Sequence, residues 1–202
     1  KPDLVDTQTL FAVGSTTKAM VAASIGMLVD EGKIEWNDAV TKHLPSFQLY
    51  DPYVTREVNV QDLLTHRAGL GNADFLWYGQ EATRKDILHR LRYLPPQTSM
   101  RSHFTYQNIM YTAAGEVVAA ASGVAWEEFL RKRLFEPLGM NGSVALLAET
   151  RDRPNVASPH DRVDGAIEVI KNASVDPVAP AGSVWSSGED MAKWMVFLLE
   201  GQ

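Results

Sequence analysis

The sequence predicts a helix-dominated fold with few strands, in one continuous unit. Three observations carry this: apolar residues recur at helical spacing in several long runs, Gly or Pro closes most of those runs, and no Pro/Gly/Ser-rich linker divides the chain. With 202 residues, 45% hydrophobic and 22% charged, the chain can bury a sizeable core, in one or two lobes, and is neither disordered nor repetitive.

In chain order, residues 1–14 read as extended, Thr9, Phe11 and Val13 alternating with Leu10 and Ala12 before Gly14. The Ala-rich run from Ser15 to Asp30 reads as a buried helix, apolar nearly all round, capped by its opening hydroxyl cluster and by Gly32. Asn37-Asp38 caps a short helix that Pro45 ends, and Asn59 caps another through Leu64, closed by Arg67–Gly71. Residues 69–80 form a Gly- and aromatic-containing loop. Thr83 and Asp86 open a helix carrying Ile87, Leu88, Leu91 and Leu94, and Pro95-Pro96 stop it. After a loop over 96–106, Asn108–Ser122 is strongly helical with Gly123 as its stop, and Trp126–Phe135 adds a helix with Pro137 beyond it. Asp164-Gly165 marks a hairpin within 156–170, and Ser187 caps a last amphipathic helix ending at Gly201.

Composition narrows the function. A net charge of −6 with no Lys/Arg stripe argues against a nucleic-acid partner, because nothing is arranged to neutralise phosphates. The chain has no Cys, which excludes disulfides and thiolate metal sites and leaves the redox compartment open. No apolar run reaches membrane-spanning length. No signal peptide begins the chain, and a first residue of Lys rather than Met implies a trimmed or partial N-terminus. Zincin, nucleophile-elbow and phosphate-loop patterns are absent, so neither a metal nor a cofactor is expected; the expected partner is a small-molecule or peptide substrate, with oligomeric state unspecified.

Two pairs of residues carry chemistry. Ser15 and Lys18 are three residues apart at a helix start, so the ammonium reaches the hydroxyl, and a Lys set in an apolar helix is desolvated and well suited to moving protons. On spacing alone the pair reads more often as an N-cap Ser with a solvated Lys. Tyr106 and Asn108 stand at a loop-to-helix junction, where a phenol beside an ammonium can take a hydroxyl proton and an amide can hold the Lys or a substrate carbonyl. Alone, this pair reads more often as a turn with a packed aromatic. His66 reads as a structural hydrogen-bonder at a helix end, His43, His89 and His103 as scattered side chains, and His160 as a loop residue. Trp77 and Tyr78, in a Gly-bounded loop, are the best candidates for a substrate-side wall. Arg131-Lys132-Arg133 forms a solvated charged face with Glu127-Glu128.

Taken together, Phe11–Lys18, Asp62–Leu70, Phe104–Asn108 and Pro180–Met191 resemble, in order and separation, the class C β-lactamase-like family of serine hydrolases, which includes β-lactamases, penicillin-binding proteins, D-stereospecific peptidases and esterases. The resemblance implies an α+β fold of the β-lactamase/transpeptidase type. It makes Ser15 the acylated nucleophile, Lys18 its activator, Tyr106 the general base that later serves as acid, and Asn108 a substrate-binding hydrogen-bonder, with the Ser15 N–H as one oxyanion donor. It favours a periplasmic or extracellular location.

The family's third motif, Lys or His followed by a small residue and Gly on a strand, is expected after the last helix, where this sequence reads Gly201-Gln202. The expectation is therefore a single serine hydrolase domain over residues 1–202, truncated at both ends: the nucleophile helix and helical lobe, with the flanking strands largely missing. The implied activity is hydrolysis of an amide or ester, such as a β-lactam, a D-amino-acid peptide or a short acyl ester, through an acyl-enzyme. The alternatives are a catalytically incomplete penicillin-binding or sensor-type module that acylates without turnover, and a purely structural helical domain.

Overall fold

The computed structural model describes residues 4–201. Its helices are α1 (Thr17–Asp30), α2 (Val40–His43), α3 (Pro52–Glu57), α4 (Val60–Leu64), α5 (Arg84–Arg90), α6 (Asn108–Ser122), α7 (Trp126–Leu130), α8 (Glu136–Leu138) and α9 (Gly188–Glu200). Four short strands complete an α+β architecture. β1 (Phe11–Ala12) pairs antiparallel with β4 (Trp185–Ser186), Ala12 opposite Trp185, and β2 (His160–Val163) pairs antiparallel with β3 (Ala166–Val169).

The core forms where α1 packs against α6, because both helices are apolar on more than one face. Met20, Val21, Ile25 and Leu28 of α1 are fully buried, as are Met110, Ala113, Ala114, Val117 and Val118 of α6. Trp126 and Leu130 of α7 close one side. The 3-10 segment Asp176–Ala181 lies across α6 and α1. Gly115 of α6 makes that crossing possible, since a β-carbon there would collide with Pro180. Most of the helix signals read from sequence act locally here. Asn59 and Thr83 each close a capping box, with Asp62 and Asp86, and Ser187 Oγ accepts the Asp190 N–H at 3.2 Å. Gly123 ends α6 at φ +78°, and the Asp164-Gly165 turn has both φ values positive, as a tight two-residue hairpin requires.

Four elements differ from their sequence reading. Asn37 and Asp38 do not cap α2: its N-cap is Ala39, without a side-chain hydrogen bond, and the Asp38 carboxylate instead pairs with Lys42 and His43. Residues 4–9 form a turn held by Asp6, Thr9 and Asn155, so the strand shrinks to Phe11–Ala12; residues 1–3 lie outside the described residues. The helix from Trp126 runs past Phe135 through a π-helical turn, Arg131–Phe135, into α8, so Pro137, expected beyond the helix, lies within it just after the π-helical turn. α1 has no side-chain N-cap: Ser15 and Thr16 belong to a 3-10 turn, Gly14–Thr16, that precedes it. Thr16 Oγ1 turns back to the Val13 carbonyl at 2.8 Å, and Ser15 Oγ is engaged elsewhere.

Candidate active site

Backbone geometry delivers Ser15. The β1–β4 pair continues in a hydrogen bond from Val13 N to Val184 O at 2.9 Å, after which Gly14 turns the chain at φ +54°, a conformation glycine adopts without strain. Thr17 Oγ1 accepts from Val184 N at 3.3 Å, and Gly182 runs close enough to Gly14 that a β-carbon on it would touch the Gly14 backbone. The start of α1 and the 182–184 segment are thereby pinned together, with Ser15 exposed at their junction.

Lys18 sits one turn further in and is 6% exposed. Its ammonium donates to Ser15 Oγ at 3.1 Å, to Asn108 Oδ1 at 2.9 Å and to the Ala181 carbonyl at 2.6 Å, which uses all three of its protons. It also lies 4.7 Å from the ring centre of Tyr106 and 5.4 Å from that of Tyr111. Burial holds its pKa below the ordinary lysine value, opposed by Tyr106 and by the charge of Asp74.

From the other side, the Tyr106 hydroxyl donates to Ser15 Oγ at 2.5 Å. Tyr106 is placed by what lies beneath and beside it. The His66 ring stacks on it, and His66 Nδ1 accepts the Gln107 N–H at 3.0 Å. The Gln107 side chain, 2% exposed, donates to the Leu70 carbonyl at 2.8 Å and to the Gly71 carbonyl. Burial, then the Lys18 charge, lowers the His66 pKa, so the ring stays neutral and keeps Nδ1 as an acceptor. Tyr111 donates to the Leu64 carbonyl at 2.8 Å; burial, then Tyr106, raises its pKa, which makes it a wall for Lys18 rather than a base.

Four of the six residues singled out from sequence therefore converge: Ser15, Lys18, Tyr106 and Asn108. The other two are placed differently. Trp77 is 8% exposed, and its indole N–H donates to Asp74 Oδ1 at 2.9 Å, so its polar edge points at a neighbouring loop residue; Tyr78, 64% exposed, packs edge-on against it at 5.6 Å. His160 lies on the exposed hairpin. The sequence reading missed Asp74, Gln107 and the Ala181 carbonyl. Only Asp74 carried a local signal, the Asn72–Asp74 turn in which Asp74 N donates to Asn72 Oδ1.

Ser15 and Tyr106 stand at the solvent surface, and a hollow of 590 Å³ is lined by other residues, among them Glu127, Arg131, Glu149 and Arg153. Among the described residues no group of three or more His, Asp or Glu is placed to hold a metal ion, and no single helix is long and apolar enough to cross a membrane.

Fold and site together define an α+β protein built around a Ser-x-x-Lys serine that a tyrosine approaches from a second segment. The chain belongs to the beta-lactamase family, whose profile matches residues 1–202. It is 29% identical over 213 residues to the unguisins hydrolase ungD' of Aspergillus campestris, covering 97% of this chain and 39% of that protein. It is 32% identical over 164 residues to penicillin-binding protein 4 of Amycolatopsis lactamdurans, covering 77% of this chain and 41% of that one. Among solved structures, the D-amino acid amidase of Ochrobactrum anthropi in complex with L-phenylalanine amide superposes with a TM-score of 0.83 at 25% identity, over 98% of this chain and 57% of that one. The chain thus spans about two fifths of the length of these curated relatives.

Proposed function

We propose that this chain carries the acyl-transfer centre of a serine hydrolase acting on an amide or ester. The observation that supports the reading is the convergence of Tyr106 and Lys18 on one oxygen, Ser15 Oγ, at 2.5 and 3.1 Å. In the reacting form Tyr106 has released its proton to solvent and stands as a phenolate beside the Lys18 ammonium; Ser15 Oγ then attacks the substrate carbonyl carbon while its proton passes to the Tyr106 oxygen, the hydrogen bond between them now running from Ser15 to Tyr106. The tetrahedral oxyanion is met by the Ser15 N–H. It collapses with cleavage of the C–N or C–O bond, and Tyr106 returns the proton to the leaving amine or alcohol. Water then repeats the sequence on the acyl-enzyme, releasing the acid and restoring the Ser15 hydroxyl. Lys18 favours negative charge on Ser15 Oγ and on Tyr106 throughout, and Asn108 and Ala181 hold it in place.

The hydrolase and amidase relatives support amide or ester hydrolysis by this centre. Likeness to penicillin-binding protein 4 favours a second reading, in which the acyl-enzyme forms and persists.

The test is mass spectrometry of the full-length protein after exposure to a fluorophosphonate and to a β-lactam. One adduct on the Ser15 peptide, lost in S15A and slowed about 100-fold or more in Y106F, is the expected result. Label on another residue, or none, overturns the proposal. A stoichiometric burst of leaving group without turnover selects the second reading over the first.

A further inference from the structure

A carboxamide has a donating end and an accepting end of nearly the same shape, so its direction is set by its partners. Asn108 has two partners with opposite demands. The Lys18 ammonium, 2.9 Å from Oδ1, requires an acceptor, whereas the Asp74 carboxylate, whose Oδ1 receives Asn108 Nδ2 at 3.0 Å, requires a donor. Only one orientation satisfies both. Asp74 is itself held from three sides: Trp77 Nε1 donates to the same Oδ1 at 2.9 Å, Asn72 Nδ2 donates to Oδ2 at 3.1 Å, and Asp74 N donates to Asn72 Oδ1 at 3.0 Å. Trp77 is buried, so the carboxylate is anchored to the interior of the protein and not to a mobile surface group.

We propose that Asp74 is a positioning residue for acyl transfer: it fixes the Asn108 carboxamide with its oxygen toward Lys18, and thereby aims Lys18 at Ser15. With Asn108 Oδ1 and the Ala181 carbonyl taking two N–H groups, the third tetrahedral position of Lys18 faces Ser15 Oγ, whether it carries a proton or a lone pair. Were Asn108 turned over, Lys18 would meet an NH2 group and lose one of its three acceptors, and its aim at the nucleophile would no longer be fixed. The charge of Asp74 also helps Lys18 retain its proton against the effect of burial. No local sequence pattern announces this arrangement, because Asp74 and Asn108 are 34 residues apart and belong to different elements.

The inference rests on the acyl-transfer reading, and its test separates the two. In the full-length protein, the rate of fluorophosphonate labelling at Ser15 is measured against pH for the wild type, D74N, N108A and the double variant, with K18M used to assign the limb belonging to Lys18. The isosteric D74N lets Asn108 turn over. It is expected to slow labelling by about 10- to 100-fold and to move the Lys18 limb to lower pH, while changing the rate less than about twofold in the N108A background. Equal effects of D74N in both backgrounds, or an unmoved limb, overturn the positioning role while leaving the nucleophile intact. Absence of label on wild-type Ser15 overturns the acyl-transfer reading and this inference with it. Should D74N fail to fold, W77F removes the other N–H from Asp74 Oδ1 and keeps the charge; it is expected to slow labelling about threefold or more, and wild-type labelling overturns the proposal.

Discussion

The imidazole of His66 lies stacked beneath the phenol ring of Tyr106, the ring centres 4.6 Å apart and the planes 30° from parallel. The same imidazole accepts the Gln107 N–H, the peptide that separates Tyr106 from Asn108. One buried ring thus supports the face of one site residue and fixes the backbone between two of them. His66 adopts φ +58° to do so, an uncommon conformation for a residue other than glycine.

This arrangement makes stability depend on acid. Burial and the Lys18 charge hold folded His66 below its ordinary value of 6.5, so as pH falls below that value the unfolded chain takes up a proton that the folded chain resists. Stability is therefore expected to decline as pH falls through the window below 6.5, and H66Q to flatten that decline. Melting temperature measured by calorimetry at successive pH values checks this; a slope unchanged in H66Q refutes the assignment.

Lys18 acts at the opposite end of the pH scale. Its folded value lies below 10.5, so between the two values the unfolded state binds the extra proton and stability rises with pH. K18M is expected to remove that rise, to slow labelling of Ser15 about 100-fold or more with the Lys18 limb gone from the remaining rate, and to leave the melting temperature at neutral pH unchanged or higher, because an apolar side chain replaces a buried charge. Thermal denaturation from neutral pH up to about 10.5, run beside the labelling assay, separates these effects.

Gly115 ties packing to chemistry. A methyl group there would strike Pro180, the residue before Ala181, whose carbonyl accepts from Lys18. G115A is expected to cost about 1–3 kcal/mol through overpacking and to slow acylation as well, although Gly115 touches no reacting group. Urea unfolding gives the first quantity and labelling kinetics the second. A loss of stability with wild-type labelling would show that the 180–181 segment can move without disturbing Lys18.

Much of the fold was legible because its signals are local. Thr83 with Asp86, Gly123 and Ser187 each mark a boundary through a hydrogen bond or dihedral angle contained within a few residues. The Ser15–Lys18 pair was legible for the same reason, since spacing alone puts both side chains on one face. Tyr106 approaches Ser15 across 91 positions, which no periodicity encodes, and only the resemblance of four segments to one family brought them together. Ala181 contributes through a carbonyl and has no side-chain signature. In the 69–80 loop, composition predicted an aromatic wall at Trp77 and Tyr78. Which way each ring turns depends on where Asp74 lies, so Trp77 faces the interior while Tyr78 faces solvent.

The helix α6 begins with Asn108 at the Ser15 cluster and seats Pro180 at Gly115, two turns along. It therefore works as a strut: one end holds Asn108 against Lys18 and the other seats the residue before Ala181, so two of the acceptors of Lys18 depend on the same helix. Any change that shifts or bends α6 is thus felt twice at Lys18, whereas Phe75, which stands in solvent on the 69–80 loop, can be exchanged without touching that support.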